Sequence, residues 1–83
     1  MTTVIQVTID KYWNYGLGKR WTETFKLYRC YPWQKWMFLE DFEMYQEGDE
    51  WDGAKIKVNK QYTIPFSGGD GYSKFTTKKL NMD

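Results

Sequence analysis

The 83-residue chain predicts an α+β fold: a small antiparallel β-sheet in ββαββ order, with one helix on one face. Three observations carry this expectation. The segment TTVIQVTID alternates apolar and polar residues, as a half-buried strand does. The segment AKIKVNKQYTI alternates in the same way. Between them, no β-branched residue occurs from Lys26 to Ala54, a gap that favours helix over strand.

The first strand places Ile5, Val7 and Ile9 on one face and Gln6, Thr8 and Asp10 on the other. Residues 14–19, NYGLGK, supply a turn, and RWTETFKLYRCY returns as the second strand of an antiparallel hairpin. Trp21, Phe25 and Leu27 share its inward parity, and Trp13 joins Trp21 on the core side. Next, PWQKWMFLEDFEMYQEG predicts a helix over 33–46. Gln, Lys, Met, Leu and Glu are good helix formers, Pro32 suits the helix start, and Gly48 suits the far end. An aromatic strand is the alternative, because the acids lie near the wrong end of the helix dipole and the apolar positions form no single stripe.

Beyond the turn WDG, residues 54–64 predict a third strand, with Ile56, Val58, Tyr62 and Ile64 facing one way and Lys55, Lys57, Asn59 and Gln61 the other. Pro65 ends it or marks an edge. SGGDG makes a glycine-rich turn into a last strand, YSKFTTKKL, with Phe75 inward. The length fits a single domain over 1–83.

Composition excludes several classes of function. There is no histidine, which removes the commonest general base and the usual hydrolase triads. The lone Cys30 has no histidine partner, excludes an intrachain disulfide and fits a reducing compartment. Neither a signal peptide nor a membrane span is read from the chain, so the expected location is the cytoplasm. A calcium loop aligned on Gly53 puts Gly48 at the first ligand position and Asn59 at the twelfth, and so fails on two ligands. FSGGDGYSK lacks the spacing of a phosphate loop. No catalytic residue, metal site or cofactor is expected.

Charge and aromatic content point instead to binding. Seventeen aromatic residues outnumber eleven Ile, Val and Leu, more rings than a core of this size hides. Residues 1–39 carry six bases and two acids, residues 40–52 carry seven acids and no base, and residues 53–83 carry six bases and two acids. Segregation of this kind makes patches of opposite sign that steer partners. Strand parity gathers Tyr12, Arg20, Lys26, Tyr28, Lys55, Lys57, Lys74 and Lys78 on the outward sheet face, with Tyr15 and Lys19 in the first turn. These ten are the candidate residues for nucleic acid or another partner. Glu40, Asp41, Glu43, Glu47, Asp49, Glu50 and Asp52 form a candidate acidic patch, expected on the helix side.

A compact Lys-, Tyr- and Trp-rich chain with stretches such as FEMYQEGDEWDGAKIKV is similar in general style to small accessory proteins of large tailed phages. The likeness covers the whole chain but rests on no motif, and no residue is carried over from it. It implies inhibition by binding to a host protein, such as a nuclease, toxin or defence factor, in the host cytoplasm. The sequence therefore predicts a non-catalytic binding protein that inhibits or sequesters a macromolecular partner, with RNA as a possible companion. The alternatives are a single-stranded nucleic-acid binding domain and a self-associating structural component.

Overall fold

A computed structural model describes residues 2–13, 18–52, 55–65 and 71–81. Among the described residues, five strands form one antiparallel sheet: β1 (Thr3–Trp13), β2 (Lys19–Arg29), β3 (Met37–Phe38), β4 (Gln61–Pro65) and β5 (Gly71–Lys79), in the spatial order β3-β2-β1-β5-β4. The alternating first segment takes the centre. β1 pairs along its length with β2, Ile5 opposite Leu27 and Val7 opposite Phe25, and on its other side with β5, Ile9 opposite Phe75. These registers bring Ile5, Val7, Ile9, Phe25, Leu27 and Phe75 to one face, where all six are buried. Tyr62 and Ile64 of β4 extend that face to the edge, Tyr62 stacking on Phe75 with centroids 5.1 Å apart.

Close packing fixes where β5 begins. A Cβ on Gly71 would collide with the backbone carbonyl of Tyr12, so only glycine lets β5 start directly against β1.

The expected helix over 33–46 is absent, and the described residues contain no helix at all, so the fold is all-β and not α+β. Packing overrides propensity here. Trp36 and Phe38 point the same way at a period of two, and both are buried against the core. Phe38 lies opposite Leu27 at the edge of β2, and the Leu39 N–H donates to the Lys26 carbonyl at 3.0 Å. On the outer side, the Phe38 N–H donates to the Asp49 carbonyl (2.8 Å), and the Gly48 N–H donates to the Phe38 carbonyl (2.7 Å). The two-residue β3 is thus closed on both sides, which a helix would forbid.

What covers the sheet is this irregular segment. Phe42 and Tyr45 exchange backbone hydrogen bonds across a tight turn in which Glu43 takes φ 47°, and Gly48, at φ 89°, reverses the chain again. Phe42, Tyr45 and Trp51 are thereby laid on the core: Phe25 lies 4.5 Å from Phe42 and 5.2 Å from Trp51, and Phe38 lies 4.6 Å from Tyr45. Offset and tilted ring pairs at such distances add to the area they bury.

The strand expected over 54–64 is shortened to its last part. Residues 55–60 are irregular, tied to β5 mainly by side-chain hydrogen bonds in place of a regular ladder. The buried Thr77 hydroxyl donates to the Lys57 carbonyl and accepts the Lys60 N–H at 3.2 Å. Asn59, at φ 54°, turns the chain, and its side-chain oxygen accepts the Lys79 N–H at 2.8 Å. Ile56 and Val58 still reach the core, but from a loop. Pro65 ends β4 at the sheet edge, where a missing N–H costs nothing. Trp13 and Trp21 share the core-side parity yet lie beyond the aromatic cover: Trp13 is 42% exposed, and Trp21 is half-buried beneath the Lys11 and Lys19 ammonium groups. No helix among the described residues is long and apolar enough to cross a membrane.

Candidate nucleic-acid interface

The aromatic cover packs on one face of the sheet only, and the other face is built from the alternate residues of the same strands. Registers across β2, β1, β5 and β4 arrange it in rows. One row reads Arg20, Tyr12, Tyr72, Pro65, and the next reads Thr22, Asp10, Lys74, Thr63. A third reads Thr24, Thr8, Thr76, Gln61, followed by Lys26, Gln6, Lys78 and then by Tyr28 beside Val4. From Arg20 to Tyr28 this lane runs about 26 Å, at roughly 3.3 Å per strand residue.

At one end of the lane the first two rows enclose a depression of about 270 Å³, lined by Asp10, Lys11, Tyr12, Arg20, Tyr72 and Lys74. The Tyr12 and Tyr72 rings sit side by side across β1 and β5, 5.5 Å between centroids and tilted by 36°. The Arg20 guanidinium lies 5.5 Å from the Tyr12 ring, a cation–π contact that holds both groups in place. The Thr22 hydroxyl donates to Asp10 Oδ1 at 2.7 Å and fixes that carboxylate at the floor of the site. Chemically, the depression offers two rings for stacking, two cations for phosphate in Arg20 and Lys74, and one oriented acceptor, while its third cation, Lys11, is paired with Glu23 at 2.8 Å.

Of the ten residues expected to bind a partner, Tyr12, Arg20, Lys26, Tyr28, Lys74 and Lys78 lie on this face. Lys26 also approaches Glu40 at 3.7 Å. Lys19 has the opposite parity and leans toward Trp21. Tyr15 lies outside the described residues. Lys55 and Lys57 do not join the face, because their segment is a loop and not a strand. Lys57 sits over the Tyr62 ring at 5.4 Å, on the covered side. Lys55 lines a separate depression with Arg29, Trp36 and Trp51.

Tyr72 is the ring lining the depression that sequence reasoning missed. The signal was present: with Phe75 inward, Tyr72 shares the parity of Lys74 and Lys78. Tyr31 and Trp33 were also hidden, inside the mistaken helix and its approach. Their rings stack at 4.8 Å and 9°, and they are 53% and 81% exposed.

The acidic run lies on the covering segment and not on a helix, and much of it serves that segment's own architecture. Asp41 accepts the Glu47 N–H at 2.9 Å and Asp49 accepts the Gln46 N–H at 2.8 Å, the turn-closing role these side chains commonly take. Glu50 approaches Lys35 at 3.6 Å. Glu43 is drawn toward Glu23, which pairs with Lys11 at 2.8 Å. Glu47 and Asp52 are exposed.

Fold and face together define an all-β, single-sheet chain whose open side is cationic and carries tyrosines. No family model, curated protein or solved structure matches it.

Proposed function

We propose that this chain is a non-catalytic binding module that holds single-stranded nucleic acid, RNA in the first place, along its open sheet face in the cytoplasm. One observation carries the proposal: Tyr12, Tyr72, Arg20 and Lys74 converge on a single depression at the head of a lane that continues through Lys26 and Lys78. Stacking of bases on such rings contributes about 1–3 kcal/mol per base, and lysine and arginine neutralise phosphates along the strand. Open antiparallel sheets with exposed aromatics suit single strands, whose unpaired bases can lie flat on them. Binding of this kind sequesters its partner and does not transform it.

Fluorescence anisotropy with labelled 12-nucleotide single strands at low salt tests the proposal. The expected result is saturable binding, weakened at least tenfold in a Tyr12→Ala, Tyr72→Ala double variant that still melts cooperatively. Absence of binding to any single strand at low salt overturns it.

The exposed Tyr31–Trp33 stack, in the segment that follows β2, favours a second reading in which a host protein is captured and inhibited. Nuclease treatment during affinity capture separates the two, because only an RNA-bridged partner is lost.

A further inference from the structure

Asp10 is the sole acid among the strand residues of the open face, and it sits at the floor of the depression that the cations and rings define. A carboxylate there opposes phosphate, so it is unfavourable for backbone-only binding. Its surroundings do not spend it on an internal ion pair: among the described residues no cation reaches it, although Lys74 is its register neighbour on β5. Thr22 donates to one oxygen only, which leaves Oδ2 and a second lone pair on Oδ1 to accept.

We propose that Asp10 reads the Watson–Crick edge of a guanine stacked on the Tyr12–Tyr72 platform, an inference that rests on the nucleic-acid reading above. The chemistry selects the base. Guanine presents two adjacent donors, N1–H and the N2 amino group, to match the two oxygens of a carboxylate. Adenine and cytosine present one amino group beside a ring-nitrogen acceptor, which the carboxylate repels. Uracil presents one N–H between two carbonyls. The rings at 5.5 Å are too close together to sandwich a base, so it lies over them. Asp10 and Tyr12, two residues apart on one strand face, are about 6.6 Å apart along the strand, the reach of a base from its stacked ring to its edge. Arg20 and Lys74 flank the site and take the adjoining phosphates. Binding is a non-covalent recognition event with no bond made or broken.

Anisotropy titrations with labelled U12, with the same strand carrying a central guanine, and with inosine at that position provide the test. The guanine strand is expected to bind about tenfold tighter than U12, the scale of one bidentate base contact, with inosine between them because it lacks the amino group. Asp10→Asn, nearly the same shape and able to keep the Thr22 hydrogen bond, is expected to remove the guanine preference and to tighten U12 binding. Equal binding of the three strands by the wild-type protein, or a guanine preference that survives in Asp10→Asn, overturns the inference but leaves the nucleic-acid reading intact. Failure of every strand to bind overturns that reading itself.

Discussion

Glu23 and Glu43 hold carboxyl groups against each other where β2 meets the covering segment, and the two respond to pH in opposite senses. Partial burial pushes Glu23 up, but the hydrogen bond and charge of Lys11, with hydrogen bonds from Glu43 and Trp21, outweigh it and leave Glu23 below the ordinary carboxylate value. Its contribution to stability is present at neutral pH and is lost as pH falls through the lowered pKa. Glu43 is raised, first by its hydrogen bond to Glu23 and then by the charge of Glu23, so one proton serves the pair. Its contribution is present below the ordinary value of 4.5 and is lost as pH rises through the raised pKa, leaving repulsion at pH 7. Glu43→Gln keeps a donor toward Glu23 at every pH. Its thermal midpoint by circular dichroism is expected to exceed the wild type at pH 7, with the gap closing below pH 4.5. A gap that persists unchanged into acid would contradict the shared proton.

Among the elements, β3 is the smallest and the most consequential. Its two residues carry Phe38, fully buried and in ring contact with Phe25, Phe42, Tyr45 and Trp51, so the cover and the sheet meet at one side chain. Phe38→Ala is expected to cost about 3–5 kcal/mol by urea unfolding, the scale of a buried phenylalanine lost from a core. A cost under about 1 kcal/mol would mean that the covering segment holds by its backbone alone. The same element marks where sequence reasoning failed. Gln34, Lys35, Met37, Leu39 and Glu40 are helix formers, and local propensity has no access to Leu27, Asp49 or the Lys26 carbonyl, the groups that claim this backbone. The alternative of an aromatic strand was closer, and the buried Trp36 and Phe38 at a period of two were its signal.

The whole molecule is an elongated sheet, 45 × 24 × 19 Å, with its two faces put to different uses. One is covered by aromatics from residues 36–51, and the other carries Arg20 and Lys26 on β2 and Lys74 and Lys78 on β5, with Asp10 the sole acid among its described strand residues. Net charge is only +1, so attraction to a polyanion depends on this arrangement and not on the total. On single strands each phosphate contact contributes about 0.7 to the slope of log affinity against log salt. The Arg20→Ala, Lys74→Ala, Lys78→Ala triple variant is therefore expected to lower that slope by about 2, three contacts at that value. Lys55→Ala and Lys57→Ala are expected to leave it unchanged, because their loop lies away from the face. A slope lowered equally by both sets would point to diffuse attraction and not to a defined lane.

The sequence by itself determined the three long strands and the inward parity of Ile5, Val7, Ile9, Phe25, Leu27 and Phe75, because alternation at a period of two is a local property that burial of one face makes unambiguous; it did not show that Trp13 and Trp21, of the same parity, lie beyond the cover. It also determined that Tyr12, Arg20, Lys74 and Lys78 share the opposite face. Only the tertiary structure decided the rest. β1 and β5 bring Tyr12 against Tyr72 from opposite ends of the chain, a neighbourhood that no local pattern contains. Residues 36–52 and 55–60 took their shape from partners elsewhere in the chain, Phe38 from Leu27 and Lys57 from Thr77, and the alternation in 55–60 did not show that Thr77 would hold that stretch as a loop. Where burial of one face imposes a local alternation, the order of residues suffices. Where an irregular segment is held by particular distant groups, as Phe38 is by Asp49 and Lys57 by Thr77, the fold must form before the conformation exists.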